Sequence, residues 1–255
     1  DGTRVDSLED IARAMDTALA GFGLPGHPLA AYREMVGEGA EVLARRASAD
    51  APDLDLAGLA AAYRDAYAAR AHRSTTVYPG IAELLAGLVA ADVAIAVLSN
   101  KPDDFTRELV AVRFPDVPFV AVRGQRSGVP RKPDPTVALE LARLMEQAPA
   151  RLAFVGDTAV DMQTARAARM TAVGVLWGFR GHDELVGAGA HHLLHAPAEL
   201  PALIFIWYLA GTTDFTPGGV LQGRLGHNEL AALLALTVYG ICLLYTSPSP
   251  RDRTR

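Results

Sequence analysis

Three groups of residues in this chain have the types and spacing to handle a phosphoryl group. Ser99-Asn100 closes a run of apolar, partly β-branched residues, Val93 to Leu98, that reads as a buried parallel strand. A hydroxyl and backbone N–H groups at a strand's carboxyl end, ahead of a helix, can hold phosphate oxygens. Lys132 lies in Arg131-Lys132-Pro133-Asp134-Pro135, where Asp134 can cap a helix and Pro135 can occupy its first turn. The lysine is then fixed just outside the helix, where its ammonium can neutralise a phosphate or a carboxylate. Asp157 and Asp161 follow a second apolar run, Leu152 to Val155. At that spacing they share one face if a helix starts at the strand end. Hard oxygen ligands of this kind suit Mg²⁺, which takes one or two carboxylates, keeps several waters and accepts a substrate phosphate.

These groups belong to an ordered set of motifs: Asp1-Gly2-Thr3-x-x-Asp6-Ser7, Tyr78-Pro79-Gly80, Ser99-Asn100-Lys101-Pro102, Lys132-Pro133-Asp134-Pro135, Gly156-Asp157-x-x-x-Asp161, and the segment from Gly174 to Gly181. Each alone is a weak signal. Together, from Asp1 to about Ile204, the chain resembles the haloacid dehalogenase superfamily, and within it the phosphoglycolate-phosphatase-like group. The resemblance implies a Mg²⁺-dependent phosphomonoesterase that works through an aspartyl phosphate on a small phosphorylated organic acid, 2-phosphoglycolate first among candidates. It implies that Asp1 is the general acid and base, with its backbone carbonyl on the metal. Asp157 becomes the direct metal ligand and Asp161 its support. Ser99, the backbone of Asn100 and Lys132 hold the phosphoryl oxygens. The attacking aspartate falls two residues before Asp1, so the chain as given is expected to be an inactive, N-terminally truncated fragment. Rival readings are a sugar-phosphate mutase, a phosphonate hydrolase, a dehalogenase that would have little use for the paired Asp157 and Asp161, and a non-catalytic remnant binding Mg²⁺ and phosphate weakly.

Strands and helices must bring these residues together. Ser7-Leu8-Glu9-Asp10 has the form of a capping box, and Leu8, Ile11, Met15 and Leu19 recur at helical spacing behind it. Leu56, Leu59, Tyr63 and Tyr67 repeat the stripe, with breaks at Gly23 to Gly26 and Ala51 to Asp53. Residues 8–77 are therefore expected to form a small helical bundle, in the family a cap over the active site. Gly37-Glu38-Gly39, ahead of a helix from Ala40 to Ala47, is the segment expected to face substrate, and Arg45 is a candidate for a substrate carboxylate. A solvated face is the expected reading for Arg45 and Arg46, surface arginines being common, and the bundle's own core is the expected place of Tyr63 and Tyr67.

Residues 1–7 and 78–204 are expected to form the α/β core. Strands near Val93, Phe119, Phe154 and Thr171 alternate with helices near Ile81, Asp104, Lys132 and Asp161, which argues a doubly wound, Rossmann-like parallel sheet with its site at the carboxyl edge and its first strand missing. His191, His192 and His195 lack carboxylate or cysteine partners at metal-binding spacing, so an edge strand or loop is expected there.

With 255 residues, half of them hydrophobic, the chain can bury one large or two modest cores. A net charge of −5 without a long basic block disfavours a nucleic-acid partner. The lone Cys242 permits no intramolecular disulfide, and a cytoplasmic setting is the default. A membrane is not expected either: the apolar stretch from Leu230 to Tyr245 falls short of the ~20 residues that span a bilayer. Oligomeric state is not legible. Residues 205–241 form a tail of uncertain origin, opening with the apolar Phe205 to Leu209, and from Cys242 onward the sequence resembles the translation of a sequencing-library adapter. A missing first strand also has a structural cost. About five buried residues at ~1.5–3 kcal/mol each approach a domain's whole net stability of ~5–15 kcal/mol. The literal chain is therefore expected to be unstable unless another segment, such as Phe205 to Leu209, fills the gap.

Overall fold

The computed structural model describes residues 1–70 and 72–204. The tail at 205–241, its apolar stretches and the adapter-like segment from Cys242 lie outside the described residues.

The chain opens with β1 (Val5–Asp6) and passes into α1 (Leu8–Gly21), α2 (Leu29–Met35), α3 (Ala40–Ala47) and α4 (Leu56–Arg70), then returns at β2 (Thr76–Val77). β1 pairs antiparallel with β2, Val5 opposite Val77, so the helical unit is entered and left through one short ladder. Its interior is most of the predicted stripe: Leu8, Ile11, Met15 and Leu19 of α1 are buried with Leu59, Tyr63 and Tyr67 of α4, while Leu56, the first residue of α4, is only half-buried. Each such burial contributes ~1.5–3 kcal/mol, which is how an alanine-rich segment with modest helix lengths stays folded.

The expected capping box does not form. Ser7 makes no side-chain cap, and its hydroxyl is buried without a partner. Asp6 does the work instead, its Oδ1 accepting the Leu8 N–H at 3.1 Å. Asp10 is drawn to the other end of the unit, accepting from Thr75 Oγ1 at 2.8 Å, the Ser74 N–H at 3.0 Å and Arg70 Nε at 3.1 Å. Three donors, one of them charged, outweigh the single local N–H that a box would offer.

After β2 the chain alternates: α5 (Ile81–Ala90), β3 (Ala96–Pro102), α6 (Asp103–Arg113), β4 (Ala121–Gln125), α7 (Thr136–Leu144), β5 (Ala153–Gly156), α8 (Ala159–Ala167), β6 (Thr171–Val175), α9 (His182–Gly187) and β7 (His192–Leu194). The class is the expected α/β one with parallel pairing, but the strands fall into two half-sheets, β3-β4 and β5-β6-β7. β3 begins at Ala96, three residues later than the apolar run suggests, and carries Ser99 to Pro102 within it. Between the half-sheets lies an apolar cavity of about 270 Å³, lined among others by Leu84, Leu88, Ile95, Leu141, Phe154 and Trp177. The histidines have structural uses: His191 Nδ1 accepts the Ala172 N–H at 2.8 Å and His192 starts the edge strand β7. Among the described residues no helix is long and apolar enough to cross a membrane.

Candidate active site

The carboxyl ends of β3 and β5 and the segment before β1 converge on a second cavity, of about 100 Å³. Asp1, Ser99, Asn100, Lys132, Asp157 and Asp161 all line it, and Gly37 and Gly39 close it from the helical unit. Arg45 is not brought there. It is exposed in the last turn of α3 and does not line the cavity, so the solvated-face alternative describes it.

Lys132 is fixed from two sides. Its Nζ lies 2.7 Å from Asp161 Oδ1, both side chains being close to fully buried. Its backbone N–H donates to Asn100 Oδ1 at 2.9 Å, while Asn100 Nδ2 donates to the Lys132 carbonyl and to the Gly37 carbonyl, each at 3.2 Å. Asn100 thus acts through its side chain as a staple between three segments, whereas the sequence suggested only its backbone. Ser99 Oγ accepts the Lys101 N–H at 3.1 Å, which holds the hydroxyl at the cavity wall. α7 starts at Thr136, one residue later than expected. Asp134 still serves its start, accepting the Thr136 N–H at 2.9 Å.

Asp157 and Asp161 do not share a helix face. α8 begins at Ala159, leaving Asp157 in the loop after β5, and Asp161 is the third helical residue. Thr158 is the cap: its hydroxyl accepts the Asp161 N–H at 3.4 Å, and Asp161 Oδ2 accepts the Thr158 N–H at 3.1 Å and hydroxyl at 2.7 Å. The carboxylates meet because a capping box bends Asp161 back toward the strand tip. Burial works to raise the Asp161 carboxyl. The Lys132 ammonium and the hydrogen bonds from Lys132 and Thr158 outweigh it and hold the group below its ordinary range.

Asp157 is the more strained charge. Burial first, and then the neighbouring Asp161, push its carboxyl up, against hydrogen bonds from the Phe179 N–H at 3.0 Å and Thr3 Oγ1 at 2.8 Å. Gly2, at φ +69°, and Gly178 pack directly on this carboxylate, and a Cβ at either position would overlap it. A buried carboxylate that its surroundings disfavour, with lone pairs left over after two hydrogen bonds, fits a hard cation. Both oxygens of Asp161 are already engaged, which suits support rather than direct ligation. Among the described residues no cluster of three or more His, Cys, Asp or Glu side chains is arranged to hold an ion. Asp157, a hard oxygen donor with Asp161 behind it, fits Mg²⁺, which takes one or two carboxylates and keeps several waters.

At the helical end, Asp1 Oδ2 meets Lys101 Nζ at 3.0 Å, while Asp1 Oδ1 is buried without a hydrogen-bond partner. Burial pushes the Lys101 ammonium down to about 8. Arginines tie the two units across this site. Arg180, from the loop after β6, donates to the carbonyls of Arg33, Glu34 (3.1 Å) and Val36 (3.0 Å) at the end of α2, and Arg33 Nη1 returns a bond to the Gly178 carbonyl at 3.2 Å. Arg131 Nη1 reaches the Glu38 carbonyl at 2.9 Å and its Nη2 reaches Glu41 Oε2 at 3.0 Å. None of these arginines was singled out from sequence, although Arg131 and Arg180 sit beside or within quoted motifs.

Most of the chain is similar to known proteins. Residues 1–175 match the family model described as haloacid dehalogenase-like hydrolase. A phosphoglycolate phosphatase of Pseudomonas putida is 38% identical over 243 residues, covering 93% of this chain and 86% of the relative. A match of that extent runs past Ile204, where the resemblance was expected to end. A crystal structure described provisionally as a phosphoglycolate phosphatase, from Lactobacillus delbrueckii subsp. bulgaricus, superposes with a TM-score of 0.73 at 26% identity, covering 80% of this chain and 95% of the other. A predicted phosphoglycolate phosphatase from Haemophilus somnus gives 0.74 at 25% identity, covering 80% and 94%.

Proposed function

Because this chain belongs to the haloacid dehalogenase-like hydrolases, we propose that it is the body of a Mg²⁺-dependent phosphomonoesterase acting on a small phosphorylated organic acid, with 2-phosphoglycolate the leading substrate. The observation that carries the proposal is the convergence of Asp1, Ser99, Lys132 and Asp157 on one cavity.

In this scheme an aspartate two residues ahead of Asp1 attacks phosphorus, forming an aspartyl phosphate and releasing the alcohol; water then cleaves the acyl phosphate to free phosphate. The apolar cavity between the half-sheets supports the scheme, since β3 and β5 each pair on one side and an extended segment leading into Asp1 would lie between them. Asp1 protonates the leaving oxygen and then takes a proton from the attacking water, work that contributes ~10²–10⁴-fold. That Asp1 Oδ1 is buried without a hydrogen-bond partner supports this role. Lys132, held by Asp161 and Asn100, and the Ser99 hydroxyl neutralise and orient the equatorial oxygens. Asp157 would hold Mg²⁺ with Asp161 behind it, and the ion would supply further neutralisation of phosphoryl charge when bound. The helical unit serves as the cap, its Gly37 to Gly39 loop excluding bulk water.

The test is a panel of small phosphate esters assayed with the enzyme carrying the attacking aspartate. The proposal expects 2-phosphoglycolate to have the highest kcat/KM. Failure to release phosphate from any ester would overturn it.

A further inference from the structure

The scheme above gives no task to Lys101, a buried cation of the cavity. Lys101 follows Asn100 directly, its side chain is 7% exposed, and it lines the same cavity as Asp1. Its Nζ lies 3.0 Å from Asp1 Oδ2 and 2.5 Å from Tyr67 Oη, 4.4 Å from the centre of the Tyr67 ring. An ammonium has three N–H donors, so these two contacts leave one for a ligand.

We infer that Lys101 is the receptor for the substrate's carboxylate, and that it sets a preference for phosphorylated 2-hydroxy acids over neutral phosphate esters. The inference rests on the phosphomonoesterase reading. There Asp1 must hydrogen-bond the leaving oxygen. In the phosphate ester of a 2-hydroxy acid the carboxylate carbon is two bonds from that oxygen. A cation already held against Asp1 therefore reaches the carboxylate without any rearrangement of the site.

Charge makes the same demand. Asp1, Asp157 and Asp161 line the cavity, and a further buried carboxylate is costly unless paired. Lys132 is committed to Asp161 at 2.7 Å, the Arg4 charge also interacts with Asp161, and Arg45 is exposed. Lys101 is thus the cation at the leaving-group end. Tyr67, from α4, fixes its position from the helical unit.

Two esters that differ in the carboxylate, 2-phosphoglycolate and 2-hydroxyethyl phosphate, test this in the enzyme carrying the attacking aspartate. A charge-assisted hydrogen bond predicts that wild type prefers 2-phosphoglycolate by about 10- to 100-fold in kcat/KM. Lys101→Met should collapse that preference, and Lys101→Arg should restore part of it. If Lys101 acts only through Asp1, Lys101→Met lowers both rates alike and the ratio stays, which overturns the inference. Should Lys101→Met fail to fold, the wild-type ratio decides: equal kcat/KM for the two esters overturns the inference while the phosphatase reading stands. Cleavage of neither ester overturns both.

Discussion

Asn100 and Lys132 hold each other reciprocally: the Lys132 N–H donates to Asn100 Oδ1 at 2.9 Å, and Asn100 Nδ2 donates to the Lys132 carbonyl at 3.2 Å. The same amide reaches the Gly37 carbonyl at 3.2 Å. One side chain of β3 therefore sets both Lys132 and the loop that covers it.

Asn100→Ala removes three hydrogen bonds from a buried residue. At about 1 kcal/mol each, it should cost about 2–3 kcal/mol in urea unfolding. Loss of Lys132 placement should lower kcat/KM by on the order of 10²-fold in the enzyme carrying the attacking aspartate. A variant of wild-type stability and activity would show that the staple positions nothing.

Lys132→Met leaves Asp161 buried beside Asp157 without its cation. Breaking one side of a buried pair costs about 3–5 kcal/mol. The double variant Lys132→Met with Asp161→Asn should recover part of that loss, because the uncompensated charge is gone. Chemical denaturation of the two variants distinguishes this from simple packing damage, in which the double variant would be the worse.

Asp10 offers a pH signature away from the cavity that Lys132 and Asp157 line. Burial works to raise its carboxyl, but the bonds from Thr75, Arg70 and Ser74 prevail and hold it below the ordinary carboxylate range. A group lowered in the folded state contributes stability that is present above its unfolded value of about 3.9 and is lost as pH falls through the folded value. Asp10→Asn should therefore be less stable than wild type at pH 7, by about 2–4 kcal/mol. It should also lose less stability than wild type on acidification below about pH 4. Parallel pH–stability curves for the two proteins would contradict the assignment.

The cavity between β3 and β5 should accept a strand. Adding an apolar segment of about five residues ahead of Asp1, ending in Asp-x, should raise and sharpen the thermal melt, at ~1.5–3 kcal/mol for each side chain fully buried. A single cooperative melt of the 255-residue chain, unchanged by the added segment, would count against this.

Much of the fold was legible because period and punctuation coincide. The α1 stripe, most of the α4 stripe and the strand from Thr171 to Val175 lie where the apolar spacing puts them, and the breaks at Gly23 to Gly26 and Ala51 to Asp53 fall between helices. Boundaries set by tertiary partners were not legible: β3 is defined by where β4 pairs with it, and Asp10 was claimed by distant Ser74 and Thr75 rather than by its own helix. In the site, motif membership located the residues that line the cavity but not how they are held. The Asn100 staple, the Thr158 cap and the Arg180 and Arg131 ties depend on separations of roughly thirty to more than a hundred residues or on loop geometry that no periodicity encodes. Arg45 lies on the solvated face that its residue type favours, so the substrate-carboxylate alternative drops away.

The central claim is that phosphoryl transfer passes through an aspartate two residues ahead of Asp1, with Asp1 as acid and base. Peptide mass spectrometry of acid-quenched enzyme during turnover of 2-phosphoglycolate tests it directly. The account predicts a phosphoryl group on that aspartate, accumulating further in Asp1→Asn because the water that should remove it is no longer activated. Phosphate release with no phosphorylated protein at any time, in wild type or in Asp1→Asn, would contradict it.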